Sequence, residues 1–176
     1  MEKKNFLIKK DGKDIECYVG ETSKKKQHGK GELEIYEPGP GIHQKVLKKI
    51  NPNWEKNNQK NFLLKTKGYL LNKKIIGIWK NGKLNSLCET ITYFEPAFFI
   101  NRDGTPTIMQ REIGNFVDGK QEGIFKVLDN NGGSGAPKYY AYYWEYKNGS
   151  LVLDKKGRIK SIKNEKLIPD YLKKIK

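Results

Sequence analysis

A chain of 176 residues with 35 Lys/Arg against 20 Asp/Glu, a formal charge of +15, is long enough for one domain or a short repeat array and too short for two ordinary cores. Only 36% of its residues are apolar while 11% are aromatic, so burial must rest on a few large rings, which favours a sheet over a helical bundle. No apolar run approaches the roughly 18 residues of a membrane span, and Cys17 and Cys88, with only His28 and His43 to join them, suit a reducing cytoplasm better than a zinc site or a disulfide framework.

The chain opens on a Phe6-Leu7-Ile8 patch broken by Lys9 and Lys10, without the features of a secretion signal. Three segments then line up in one register: Gly20 to Gly31, Gly68 to Trp79 and Gly114 to Phe125. In each, two glycines stand nine positions apart (Gly20/Gly29, Gly68/Gly77, Gly114/Gly123) and a lysine (Lys26, Lys74, Lys120) falls six after the first. The pattern predicts a β-hairpin. A short strand carrying Tyr18, Leu70 or Phe116 meets a turn rich in Asn, Asp, Gly and Lys, and a second strand leaves it. That second strand reads Glu32-Leu33-Glu34-Ile35-Tyr36, Ile78-Trp79-Lys80 or Ile124-Phe125-Lys126-Val127-Leu128, and ends on Pro38-Gly39, Asn81-Gly82 or Asn130-Asn131-Gly132. The second glycine lets neighbouring hairpins approach closely or leaves room for a ring.

Between the first two copies lies an insertion, 40–67, in which His43, Val46, Leu47 and Ile50 fall at helical spacing among lysines until Asn51-Pro52 stops them. Such a basic amphipathic turn serves either as a cover for the sheet edge or as a membrane- or groove-binding element. Further strands are expected at Glu89 to Phe94 and at 97–100. The stretch Tyr139 to Tyr146 is the most strongly β of all, closed by Lys147-Asn148-Gly149 and followed by Ser150 to Asp154 as its partner, a degenerate fourth repeat. The tail around Pro169 to Ile175 opens a helical turn that caps the open end.

The whole reads as one unit, 1–176, with repeat cores near 18–36, 68–82, 114–128 and 139–154 and a cap at 165–176. The expected fold is all-β, an elongated single-layer array of antiparallel hairpins with a small C-terminal helical cap. The stretch Tyr18-Val19-Gly20-Glu21 followed by His28-Gly29-Lys30-Gly31-Glu32-Leu33 resembles the MORN repeat. Gly114 to Phe125, with Asp118-Gly119-Lys120, is similar to the variant repeat of bacterial antitoxin-like proteins. The copies stand about twice as far apart as in that family, and Trp79 and Phe125 occupy the place of its later glycine. The resemblance implies recognition or scaffolding, and an antitoxin- or immunity-like protein that neutralises a partner protein.

Catalysis is not expected. His28 sits in a lysine-rich turn and His43 in the insertion, neither beside a nucleophile. Glu32 and Glu34 share a strand face as an ordinary solvent-facing row, and Gly132-Gly133-Ser134-Gly135 lacks the Lys-Ser/Thr of a phosphate loop. Neither a metal nor a cofactor is expected. Binding is assigned to the sheet face carrying Tyr139 and Tyr143 with Lys138 and Lys147 nearby, while the rings of Trp79, Phe125 and Trp144 occupy the other face as packing. The partner is then a protein, an acidic-surfaced toxin or effector. The rival partner is anionic lipid or nucleic acid, drawn by the lysines; only three arginines (Arg102, Arg111, Arg158) accompany them, and a lysine-rich composition also arises from an AT-rich genome.

Overall fold

The computed structural model describes residues 5–11, 14–38, 69–94, 107–130 and 139–175. Among these residues nine strands follow one another: β1 (Asn5–Asp11), β2 (Asp14–Ser23), β3 (Lys26–Pro38), β4 (Tyr69–Lys80), β5 (Lys83–Tyr93), β6 (Ile108–Val117), β7 (Lys120–Asn130), β8 (Tyr139–Lys147) and β9 (Ser150–Leu151). Each pairs antiparallel with the next, so sheet order is chain order. A 3-10 turn (Glu165–Leu167) and one helical turn, α1 (Asp170–Lys173), follow. The architecture is the expected all-β single layer of consecutive hairpins with a small helical cap. The insertion at 40–67, the strand expected at 97–100, the glycine-rich connection at 132–135 and Lys138 lie outside the described residues.

Four hairpins close through two-residue turns in which both residues are left-handed: Lys24 and Lys25 (φ 49° and 61°), Asn81 and Gly82 (52° and 84°), Asp118 and Gly119 (49° and 84°), Asn148 and Gly149 (51° and 85°). This turn twists with the strands it joins instead of splaying them. Four residues beyond the first three turns comes a bulge whose left-handed residue is Gly29, Ser86 or Gly123 (φ 60°, 67° and 83°). The turns also stack. The N–H groups of Gly82, Gly119 and Gly149 donate to the carbonyls of Gln27, Leu84 and Gln121 in the hairpin before, at 2.8–2.9 Å.

These regularities correct the register of the second copy. Pairing Gly68 with Gly77 puts a turn at Asn72-Lys73-Lys74 and separates Leu70 from Trp79, yet β4 runs unbroken from Tyr69 to Lys80. The turn lies at Asn81-Gly82. Gly77 is therefore the counterpart of Gly20 and Gly114, Ser86 that of Gly29 and Gly123, and Lys83, not Lys74, that of Lys26 and Lys120. The cause is local: two turn sites compete, and the one offering glycine at the second left-handed position wins.

The two faces differ in chemistry. On the first, Tyr18, Leu33, Trp79, Leu84, Cys88, Phe116, Phe125 and Tyr146 form the main buried cluster. Its rings meet edge to face, Tyr18 on Trp79 at 5.5 Å, Phe116 on Phe125 at 5.6 Å and Phe125 on Tyr146 at 4.9 Å. Glycines make this possible. The Phe125 ring occupies the space where a Cβ on Gly114 would stand, and the Tyr18 ring does the same over Gly31. Trp144 packs against this cluster, so Trp79, Phe125 and Trp144 share one face as expected.

On the second face the tail closes over Ile113. Ile162, Ile168 and Leu172 bury against it, with Ile124, Tyr143 and Ile175 at the margin. Two side-chain hydrogen bonds help fasten the tail: the buried Lys126 amine donates to the Ile175 carbonyl, and the Asn115 amide donates to the Tyr171 hydroxyl at 3.0 Å. A smaller cluster, Cys17 and Tyr36 with Ile15 and Leu71, lies on the same face further along the strands. Burial, then the neighbouring Glu34 charge, pushes the Cys17 thiol up to about 11.

Candidate functional site

Antiparallel pairing lines residues up across the sheet, and on the second face one such row reads Val19, Glu32, Ile76, Glu89, Ile113, Lys126, Tyr143. Apolar and charged side chains thus alternate strand by strand. The next row toward the turns adds Ile78 and Leu87. Together Val19, Ile76, Ile78, Leu87 and Ile113 floor a trough of about 640 Å³, and Ile175 of the tail stands at its border. Ile78 and Leu87 are each 40% exposed. In a chain this poor in aliphatic residues, two such side chains gathered in one depression mark it out from scattered surface apolar residues.

Two of the carboxylates along the trough, Glu32 and Glu89, are ion-paired. Lys74 reaches Glu32 at 2.6 Å and Glu34 at 3.8 Å, and Arg111 Nε reaches Glu89 at 2.5 Å. Burial works against the Lys74 ammonium, but the hydrogen bond and charge of Glu32, with Glu34 beyond, outweigh it and hold this lysine above the ordinary range. Glu32 and Glu34, expected as a plain solvent-facing row, are in fact tied together through one lysine on the neighbouring strand. Glu32 and Glu89 are thereby engaged by cations of the neighbouring strands, beside the apolar floor.

Of the residues assigned to binding from sequence, the described ones do not come together. Tyr139 is 44% exposed at the start of β8, whereas Lys147 is exposed at its far end, eight residues on and so about 26 Å away. Tyr143 lies between them on the same face and is half-buried by the tail cluster, where it serves packing. Sequence reasoning placed the tail at the open end of the array and did not show that it folds back over Tyr143. The trough was missed as well, because its floor is assembled from four different strands and no single segment carries its signal.

Lys147 belongs to another feature, the edge formed by the stacked turns. Lys24, Lys25, Lys26, Lys80, Lys83, Lys120 and Lys147 are exposed there, accompanied by Asp118 and Glu122. Among the described residues no group of three or more His, Cys, Asp or Glu side chains is arranged to hold a metal ion. No described helix is long and apolar enough to cross a membrane. No family model, curated protein or solved structure matches this chain.

Proposed function

We propose that the chain is a non-catalytic, cytoplasmic protein-binding module, antitoxin- or immunity-like in the sense that its MORN-like repeats suggest, and that its partner protein inserts an apolar ridge into the trough. The exposure of Ile78 and Leu87 on the trough floor carries this reading. An apolar centre with a polar, charged rim is the arrangement in which a few buried side chains supply most of the binding energy. The net charge of +15 adds long-range attraction for a partner with an acidic surface.

The test begins with the protein immobilised and native cell extract applied at physiological salt, followed by purification of whatever protein is retained. Ile78→Asp/Leu87→Asp should bind that purified partner at least tenfold more weakly while melting at the same temperature as the parent. Retention of no protein would count heavily against a binding module. Undiminished affinity of the double variant would remove the trough from the proposal.

One observation favours a second reading. The seven exposed lysines along the turn edge form a basic row, suited to anionic lipid or nucleic acid. Binding of that kind falls steeply with added salt through counterion release. A salt-insensitive partner would exclude it as the main mode.

A further inference from the structure

We infer that the outer edge of β8, from Tyr139 to Tyr142, is a strand-addition site for an extended acidic segment of a partner protein. β8 pairs with β7 from Tyr146 opposite Gly123 to Tyr139 opposite Asn130. Its other edge is occupied only toward its C-terminal end. There Tyr146 and Lys147 pair with β9, Val152 N–H donates to the Glu145 carbonyl at 2.8 Å, and Ile162 N–H donates to the Tyr143 carbonyl at 2.7 Å beside the Ser161–Trp144 bridge. The tail then leaves the edge and crosses the second face to Ile113.

The carbonyls of Tyr143 and Glu145 thus point outward. By the alternation of an antiparallel strand, the N–H and C=O of Tyr139 and Ala141 do so too. Among the described residues nothing takes up these groups. Folds commonly guard such an edge with lysine, proline or a bulge, and residues 139–142 carry none of them. Instead Tyr139, Tyr140 and Tyr142 stand 44%, 48% and 36% exposed, ready to flank the side chains of an added strand on both faces. The tail also supplies a precedent, since Ser161 and Ile162 already add to this edge as a fragment of strand.

Charge selects the occupant. The described tail residues 154–175 hold eight Lys/Arg against three Asp/Glu; Lys160, 3.8 Å from the Glu145 carboxylate, and Lys163 flank the Ser161-Ile162 pair beside which an added strand would begin. A basic strand would be repelled there and an acidic one held. The inference rests on this edge alone and is independent of the trough.

The probe is a blocked, fluorescein-labelled octapeptide alternating valine and glutamate, compared with its lysine-for-glutamate counterpart. The acidic peptide should bind at least tenfold more tightly than the basic one and slow hydrogen exchange at the amides of Tyr139 and Ala141. Ala141→Pro removes an outward N–H without touching the inward ladder, and should weaken binding at least tenfold with the melting temperature kept to within about 2 °C. Should that variant fail to fold, the acidic peptide N-methylated at alternate residues replaces it, and must fail to bind the parent protein. Absence of binding, equal binding of both peptides, or full binding by Ala141→Pro or by the N-methylated peptide would overturn the site. So would a dimer, seen by sedimentation, that joins two copies through this edge and does not yield to the peptide.

Discussion

Replacing Gly114 with alanine sets two effects of opposite sign against each other. Gly114 lies inside β6 outside the left-handed region, so alanine fits its backbone, and relief of glycine entropy alone would stabilise the sheet by about 0.5–1 kcal/mol. The added Cβ, however, would stand 2.5 Å from Cδ2 and Cγ of Phe125, about 1 Å inside van der Waals contact. That ring is fully buried and wedged between Phe116 at 5.6 Å and Tyr146 at 4.9 Å, leaving it no direction of retreat. Overpacking of this kind costs about 1–3 kcal/mol. The steric effect should win, with a net loss of about 1–2 kcal/mol and a fall in Tm of about 2–8 °C for a chain of this size. Urea denaturation of Gly114→Ala, Phe125→Leu and the double variant gives the coupling directly. The double variant should lose at least about 1 kcal/mol less than the sum of the single ones, because the smaller side chain makes way for the methyl group. Additive losses, or a Gly114→Ala protein more stable than its parent, would refute the picture of a ring resting on glycine.

Three further outcomes follow, two from the backbone and one from a half-buried carboxyl. Ser86 holds φ 67° where the neighbouring hairpins place Gly29 and Gly123, so Ser86→Gly should raise stability by about 0.5–1 kcal/mol in urea denaturation. Its mirror, Gly123→Ala, meets nothing within 4 Å and should lose about 1 kcal/mol from conformation alone; a loss on Ser86→Gly would contradict the repeat register. Burial raises the Glu112 carboxyl above 4.5 although the Tyr146 hydroxyl, the Lys73 charge and the Gln121 amide pull the other way. The native state therefore binds this proton more tightly than the unfolded chain, and stability falls as pH rises from 4.5 through the folded value. Glu112→Gln should flatten that slope in melting curves between pH 4 and 7, and an unchanged slope would assign the effect to another group.

Much of the fold was legible because hairpin turns are short-range chemistry. Asp118-Gly119 and Asn148-Gly149 announce their turns within two residues, and alternation in Tyr139 to Tyr146 correctly separated the ring-bearing face of Trp144 from that of Tyr143. The second copy was misread for an equally physical reason. Its bulge residue is serine, so the glycine spacing that marks the first and third copies is missing there, and a chance glycine at Gly68 with Lys74 completed a false match. The motif Asn81-Gly82-Lys83, parallel to Asp118-Gly119-Lys120, was the signal that could have fixed the register. Nothing comparable marks the trough or the covering of Tyr143, since both depend on residues brought together across the sheet or from the tail.

The end of the array follows from the same positional logic. The place held by Gly20, Gly77 and Gly114, five residues before the second turn residue, falls on Trp144 in the last hairpin. In the hairpins before it, a glycine there leaves the backbone bare for a side chain from the hairpin to lie across, as Phe125 lies across Gly114 and the Cys88 thiol across Gly77. β9 has only two residues and provides no such side chain. At this place the last hairpin carries the Trp144 ring, which packs against the end of the aromatic cluster, with Tyr142 stacked beside it at 6.4 Å. Trp144 thus closes the packing where the repeat ends, and β9, only two residues long, leaves the first four residues of β8 paired with β7 but without a partner strand on their outer edge among the described residues.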